Sequence, residues 1–124
     1  MKLSDEAIEA AKAKHTNPDA NFEHNDCIRM AFEWLDAQTR IKGKTTRSAP
    51  LKHLIERWAG RYVSQSDVEV AAMLHPDITG SYPHFNISAR FTEPSTRRLE
   101  GIGQAFAHNK RDSHNSSDYS RREK

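Results

Sequence analysis

Residues 61–91, RYVSQSDVEVAAMLHPDITGSYPHFNISARF, contain a capped helical run, a Pro/Gly break and an alternating apolar stretch. Ser64 and Asp67 have the spacing of a capping box, in which each side chain accepts a hydrogen bond from the backbone N–H of the other residue. This pattern predicts a helix over residues 65–75. Pro76 ends it, because the residue before a proline avoids the α region.

The segment that follows the break can be interpreted as a strand or as a helix. In a strand, successive side chains point to opposite sides. The apolar side would hold Phe85, Ile87, Ala89 and Phe91, and the polar side would hold His84, Asn86, Ser88 and Arg90. A helix capped by Ser81 would instead gather only Tyr82, Phe85 and Ala89 on one face. We favour the strand, because it places more apolar side chains together.

Three more helices are predicted before this stretch. Residues 4–14 begin with Ser4 as N-cap and carry acidic residues in the first turn, where the helix dipole favours them. Residues 25–39 have apolar side chains at the i, i+3, i+4 and i+7 spacing of a core helix. Residues 49–59 follow Ser48, which is the predicted N-cap of the third helix.

The length of 124 residues fits one domain with a modest core. A last helix is predicted before residue 109, although Gly101 and Gly103 each weaken it by about 1 kcal/mol relative to alanine. We therefore expect a mainly α domain over residues 1–109, with four or five helices and one short β element. Residues 110–124 hold one aromatic and no aliphatic side chain, so we expect a disordered C-terminal tail there.

Charge is distributed unevenly along the chain. Residues 1–36 carry four lysines and arginines against eight acidic residues, whereas residues 40–61 carry seven against one. Such asymmetry indicates either a polyanionic partner or ion pairing between the two halves.

A nucleic-acid-binding unit is the first functional hypothesis. Two helices, a break and an extended segment over residues 49–91 resemble a helix-turn-helix or winged-helix protein in outline. The basic loop, residues 40–47, would contact phosphates, and the polar side of the predicted strand would read bases. The expected contacts, with DNA as the favoured partner, are Arg40, Lys42, Lys44, Arg47, His84, Asn86, Ser88 and Arg90. Gly80 and Pro83 depart from the pattern, because they fall where a recognition helix would begin.

A protein-interaction module, such as an inhibitor or adaptor, is the alternative. It would use the acidic N-terminal segment or a patch of exposed aromatic residues, which are frequent interface anchors. The candidates are Trp34, Trp58, Tyr62, Tyr82 and Phe85. The same residues are equally suited to a core, so both functional hypotheses stay open.

Catalytic and metal-binding chemistry is not indicated. His24 and Cys27 have ligand-like spacing, but a structural zinc site generally needs four ligands and the chain has one cysteine. Cys27 lies on an apolar helical face and is expected to be a buried, inert thiol. His75 and Asp77 could suggest a general base, but we expect Pro76 and Gly80 to shape a turn there and His75 to cap the C-terminal end of the preceding helix. We therefore predict a non-enzymatic protein with no catalytic, metal or cofactor-binding residue.

The cellular location is predicted from three features: the N-terminal segment, the longest apolar run and the number of cysteines. The N-terminus MKLSDEAIEAAKAK has no apolar segment of the kind found in secretory signals, and no run approaches the roughly 18 apolar residues of a membrane span. The lone cysteine cannot form an intramolecular disulfide. We expect a cytoplasmic protein without a membrane partner.

Overall fold

The computed structural model describes residues 3–124, except for the side chain of Asn109. Four α-helices precede the β elements: α1 (Asp5–Lys14), α2 (Asn25–Asp36), α3 (Leu51–Ala59) and α4 (Gln65–Leu74). Four two-residue strands follow: β1 (Gly80–Ser81), β2 (His84–Phe85), β3 (Thr92–Glu93) and β4 (Arg121–Arg122). Short 3₁₀ helices span Thr96–Leu99, Asn109–Ser113 and Ser116–Asp118. The prediction of a mainly α single domain is confirmed.

Local capping explains where α1 and α4 begin. The Ala7 N–H donates to Ser4 Oγ at 3.1 Å, which confirms the predicted cap of α1. At α4 the Asp67 N–H donates to Ser64 Oγ, and the Ser64 N–H donates to Asp67 Oδ2, so the predicted capping box is complete. These bonds satisfy backbone donors that the helix itself leaves unpaired.

The start of α3 differs from the prediction. Pro50, not Ser48, occupies the N-cap position, and no side chain caps this helix. Proline suits the beginning of a helix because its fixed φ matches the helical value and it has no N–H to satisfy. At the other end Gly60 adopts a φ of 72°, which is the left-handed conformation that glycine favours after a helix.

The core lies between α2 and the three other helices, since α2 contacts each of them. Its largest fully buried side chains include Trp34 from α2 and Trp58 from α3. Gln38, at the end of α2, is also buried and links α2 to β3: its amide donates to Thr92 O and accepts from the Thr92 N–H. Burial of a polar group is tolerated there because both ends of the amide are bonded.

The apolar alternation after residue 84 is confirmed, but the continuous strand is not. Phe85, Ile87 and Phe91 are buried, while only β2 and an isolated bridge between Arg40 and Ile87 have β geometry. β2 pairs antiparallel with β1 in a hairpin. The rest of the segment bonds to the loop after α2 and not to a long neighbouring strand.

The winged-helix or helix-turn-helix outline is not confirmed. Within residues 3–124, α4 is followed by the β1–β2 hairpin and irregular segments, not by a second α-helix that could act as a recognition helix. The predicted last helix is reduced to the 3₁₀ helix Thr96–Leu99 and a series of turns. Gly101, with a φ of 80°, leaves the right-handed helical region at this point.

The expected disordered tail is not shown. The final residues pack on the domain: β4 pairs in parallel with β3, and Tyr119 Oη accepts a hydrogen bond from Trp34 Nε1 at 2.9 Å. Arg98 and Glu123 form an ion pair beside this contact. We refer to residues 114–123 as the C-terminal strap. One aromatic side chain and several ion pairs thus hold a segment whose overall composition is polar.

Candidate nucleic-acid interface

Two segments that are far apart in sequence lie side by side in the fold. The Ile41 N–H donates to Asn86 O, the Thr45 N–H donates to Phe85 O, and the Ser88 N–H donates to Thr39 O, at 2.8–3.1 Å. These bonds hold the loop after α2 against the segment that follows β2. The eight residues predicted to contact nucleic acid therefore belong to neighbouring backbone segments.

The charged members of this set are mostly on the surface. Lys42, Lys44, Arg47 and Arg90 are exposed. The two lysines flank Gly43, which has a φ of 89° and open space around it. Glycine tolerates this left-handed conformation, so the loop can turn between its two bonded ends.

The strap adds a cation that sequence reasoning missed. The Ser120 N–H donates to Phe91 O at 2.9 Å, and Arg121 Nη1 donates to Thr39 Oγ1 at 3.1 Å. A longer bond of 3.4 Å joins the same guanidinium to Arg90 O. Because β3 and β4 are only two residues long, no periodicity in the sequence indicated their pairing. We call Lys42, Lys44, Arg47, Arg90 and Arg121 together the basic surface.

Arg47 is partly fixed by its neighbours. Its Nη1 donates to Ala89 O at 3.0 Å, and its guanidinium carbon lies 5.6 Å from the centroid of the Phe91 ring. The attraction of a cation to an aromatic face helps to orient the side chain. A guanidinium has five N–H donors, so one such bond leaves others for an anionic ligand.

Arg40 is engaged inside the fold. Its Nη1 donates to Asp36 O at 2.8 Å and to Gln38 O at 2.7 Å, and its Nη2 lies 3.3 Å from Asp36 Oδ1. The side chain therefore closes the C-terminal end of α2, where carbonyl groups lack helical partners. Of the four cations predicted from the basic loop, Arg40 is the one with a clear structural role.

Asp36 is the centre of a polar cluster at this end of α2. Its carboxylate accepts hydrogen bonds from His75 Nε2 at 2.7 Å and from Arg98 Nη1 at 2.9 Å. Partial burial opposes ionisation, but the bonds from His75 and Arg98 outweigh it and lower the pKa of Asp36 to about 2. The Asp77 N–H donates to His75 Nδ1, and His75 Nε2 lies 2.8 Å from Arg40 Nη2 as well as close to Asp36.

The polar residues of the predicted reading face make internal hydrogen bonds. Asn86 Oδ1 accepts from the Thr79 N–H at 2.8 Å, and its Nδ2 donates to Asp77 O at 2.9 Å. Ser88 Oγ accepts from the Arg90 N–H, and His84 Nδ1 donates to the carbonyl of a residue in the basic loop. These side chains are half-buried, whereas Arg90 is exposed. The charged residues are thus better placed than the amide and hydroxyl groups to meet an external ligand.

The residues considered for metal or thiol chemistry have structural roles. Cys27 is buried, as predicted, and burial raises the pKa of its thiol to about 12, which keeps it protonated. His24 is the N-cap of α2, because its Nδ1 accepts from the Asp26 N–H at 2.9 Å. Within the described part of the chain, no group of three or more acidic, histidine or cysteine side chains could hold a metal ion.

Of the two surfaces suggested for protein interaction, the aromatic patch is mostly buried, whereas the acidic residues of α1 are exposed and partly paired. Trp34, Trp58 and Phe85 are buried, so they do not form an exposed aromatic patch. In the acidic N-terminal segment, Asp5 and Asp26 each accept a hydrogen bond of 2.7 Å from the guanidinium of Arg29. The ion pairs of Glu23 with Arg61 and of Asp36 with Arg40 join the acidic and the basic part of the sequence, so part of the charge asymmetry is balanced within the domain.

Comparison with known proteins gives no relative: no family model, no curated protein and no solved structure matches this chain. None of the helices in residues 3–124 is long and apolar enough to cross a membrane. The geometry of the chain itself is therefore the basis for any functional inference.

Proposed function

We propose that this protein binds nucleic acid, with duplex DNA as the expected form, by contacting phosphate groups through the basic surface. The observation that supports this proposal is the convergence of exposed cations from three chain segments. Backbone hydrogen bonds join these segments at 2.8–3.1 Å, so the cations are carried on a defined scaffold.

The binding is expected to be independent of base sequence. Lysine and arginine release condensed counterions when they meet phosphates, which gives affinity without specificity. Reading of bases needs amide or guanidinium groups that are free to make paired hydrogen bonds in a groove. Asn86 already uses both ends of its amide within the fold, so base reading is not part of the proposal.

Salt dependence of binding tests this proposal. We expect affinity for duplex DNA to fall as salt rises, with a slope of the logarithmic plot that reports how many phosphates the protein neutralises. Replacing Lys42, Lys44 and Arg90 with alanine should lower the slope by about 0.9 for each phosphate that is no longer neutralised. Mobility-shift titrations at several salt concentrations, with single-stranded DNA and RNA as further probes, provide the measurement.

A matched control variant replaces Lys14, Arg97 and Lys110 with alanine. It removes the same number of lysines and arginines, and these three side chains are also exposed. The proposal requires that this variant keep a steeper salt dependence than the surface variant. Equal slopes in the two variants, or no binding to any nucleic acid at low salt, would show that the basic surface is not a nucleic-acid site.

A further inference from the structure

A second concave site lies away from the loop lysines, between the C-terminal end of α1, the side of α4 and the β1–β2 hairpin. The cavity has a volume of about 360 Å³. The residues that line it include His15, Glu69, Met73, Ile78, Tyr82 and Phe85. Its size is at the lower end of the range of small-molecule sites, which is about 300–1,000 Å³.

Glu69 gives the wall of this cavity a negative charge. Its Oε1 accepts a hydrogen bond from His15 Nε2 at 2.8 Å, and its Oε2 accepts one from Gln65 Nε2 at 3.1 Å. The side chain is 23% exposed, so it is held in place without being sealed off. A carboxylate oxygen can accept two hydrogen bonds, which leaves capacity for a ligand donor on each oxygen.

His15 orients Glu69 through one hydrogen bond from its imidazole ring. The imidazole is only 8% exposed and packs edge-on against Phe22. Because a carboxylate can only accept, the nitrogen that faces Glu69 carries the proton. The other nitrogen, Nδ1, is buried and has no hydrogen-bond partner within residues 3–124. The ring is therefore held by the Nε2 bond to Glu69 and by packing against Phe22.

No lysine or arginine among the described residues lines the cavity. Lys52 is close in the fold, since its backbone N–H donates to Tyr82 Oη at 3.2 Å. Its ammonium group, however, lies 2.9 Å from Glu56 Oε1 and 4.5 Å from the Tyr62 ring centroid, outside the cavity wall. Among residues 3–124, no lysine or arginine of the cavity wall is therefore paired with the Glu69 carboxylate.

The remaining walls are apolar and aromatic. Tyr82 and Phe85 stand edge to face, with ring centroids 6.2 Å apart, and Ile78 is buried beside them. Met73 lines the cavity and is 49% exposed, so a large apolar side chain faces both solvent and the site. Aromatic rings attract cations through their faces, and a thioether adapts to ligands of different shape.

We propose that this cavity binds a small organic cation, namely a protonated primary amine carried on an aromatic or branched apolar body. The ammonium group would donate to Glu69, and the apolar body would lie against Tyr82, Phe85 and Met73. An anionic ligand of the same shape would be repelled by the carboxylate, and a neutral one would lose the ion pair.

The probe for this test is 2-phenylethylamine, with 2-phenylethanol and phenylacetate as neutral and anionic analogues. Titrations followed by NMR at about pH 8 keep the solution above the ordinary histidine pKa of about 6.5. We expect saturable shifts at Ile78, Tyr82, Phe85 and the Met73 methyl group with the amine. The alcohol should bind about tenfold more weakly, and the carboxylate should not saturate.

Met73→Lys tests the role of charge without removing any of the bonds that Glu69 makes. Residue 73 is four positions after Glu69 on α4, which is the spacing at which a lysine pairs with a preceding glutamate. The introduced ammonium should occupy the carboxylate and weaken amine binding by about tenfold. Met73→Gln is the matched neutral control: it removes the same thioether from the wall without adding a charge, so it should weaken amine binding clearly less than Met73→Lys does.

Glu69→Gln is a second variant, which removes the charge of the carboxylate directly. The backbone amide NMR spectrum of this variant shows whether its fold persists. The proposal is overturned if the amine produces no saturable shifts at the cavity residues, or if the alcohol and the amine bind equally. It is also overturned if Met73→Lys and Met73→Gln bind the amine with the same affinity. None of these outcomes depends on nucleic-acid binding, because Glu69 and Met73 are not part of the basic surface.

Discussion

Asn86 shows how a single side chain can take a role that its residue type did not indicate. Among polar residues that alternate with apolar ones, it was expected to face outward and read bases. Its amide instead spans the turn after α4, accepting from the Thr79 N–H and donating to Asp77 O. An asparagine carries a donor and an acceptor on one planar group, so its side chain can make the two hydrogen bonds that a backbone amide would make.

Replacing Asn86 with alanine should therefore lower stability and not nucleic-acid affinity. Two hydrogen bonds are lost, each contributing about 0.5–1.5 kcal/mol, so we expect the free energy of unfolding to fall by about 1–3 kcal/mol. Urea denaturation measures this change. Arg90→Ala, which removes an exposed side chain, should change stability by less than about 0.5 kcal/mol. If Asn86→Ala leaves stability unchanged but weakens binding to DNA, the side chain has the reading role after all.

The C-terminal strap is the element that departs most from expectation. It covers Trp34 through Tyr119 and pairs β4 with β3. It also connects to the domain through a hydrogen bond between His114 and Glu93 and an ion pair between Arg98 and Glu123. The low number of apolar residues in this segment predicts disorder. Such a count does not show that one aromatic side chain, Tyr119, packs against Trp34 of the domain. Burial raises the pKa of Tyr119 to about 12, despite the opposing hydrogen bond from Trp34.

Tyr119→Ala should release the strap from the domain. The substitution removes the ring that packs against Trp34, and large aromatic truncations in a core cost about 3–5 kcal/mol, so a half-buried ring should cost somewhat less. Tyr119→Phe keeps the ring, loses one hydrogen bond and should cost about 1 kcal/mol. NMR order parameters report the result: residues 116–122 should be rigid in the natural chain and mobile in Tyr119→Ala, with values below about 0.6. A strap that is already mobile in the natural chain would contradict these contacts.

At the scale of the whole molecule, local signals in the sequence predicted most of the fold. The caps of α1 and α4, the positions of four helices and the burial of alternate residues after His84 follow from patterns within a few neighbouring positions. Features that depend on distant partners did not follow. The pairing of β3 with β4 and the hydrogen bond between Trp34 and Tyr119 join residues whose types give no local indication of the contact.

For the candidate site, too, the sequence predicted the local features and not those that depend on distant partners. A cluster of lysines and arginines in one loop indicated an anionic ligand, and the structure brings that loop beside residues 84–90. Arg121 could not be assigned to the same surface, because its place depends on how the strap folds back. The cavity beside Glu69 was equally hidden, since it forms only where α1, α4 and the hairpin meet.

The polar cluster around Asp36 makes a prediction about the whole molecule in acid. The pKa of Asp36 is lowered to about 2 from an ordinary value of 3.8, and the pKa of Glu123 is lowered chiefly by its hydrogen bond with Arg98. A carboxyl group with a lowered pKa in the folded state stabilises the fold above its ordinary pKa, and this contribution is lost as the pH falls toward the folded value. The free energy of unfolding should therefore decrease as the pH is lowered from about 5 to about 2.

Asp36→Asn separates the contribution of this carboxylate from the rest. The amide cannot ionise, so the variant should be less stable at neutral pH and should lose less of its remaining stability between about pH 4 and about pH 2. Urea denaturation at a series of pH values measures both effects, and Asp77→Asn, at an exposed carboxylate, is the control that should keep the natural pH dependence. Because Arg98 joins α2 to the strap at this cluster, the acid transition should also release the strap, which Tyr119 order parameters would record. An unchanged pH dependence in Asp36→Asn would mean that the hydrogen bonds of Asp36 with Arg98 and His75 do not persist in solution.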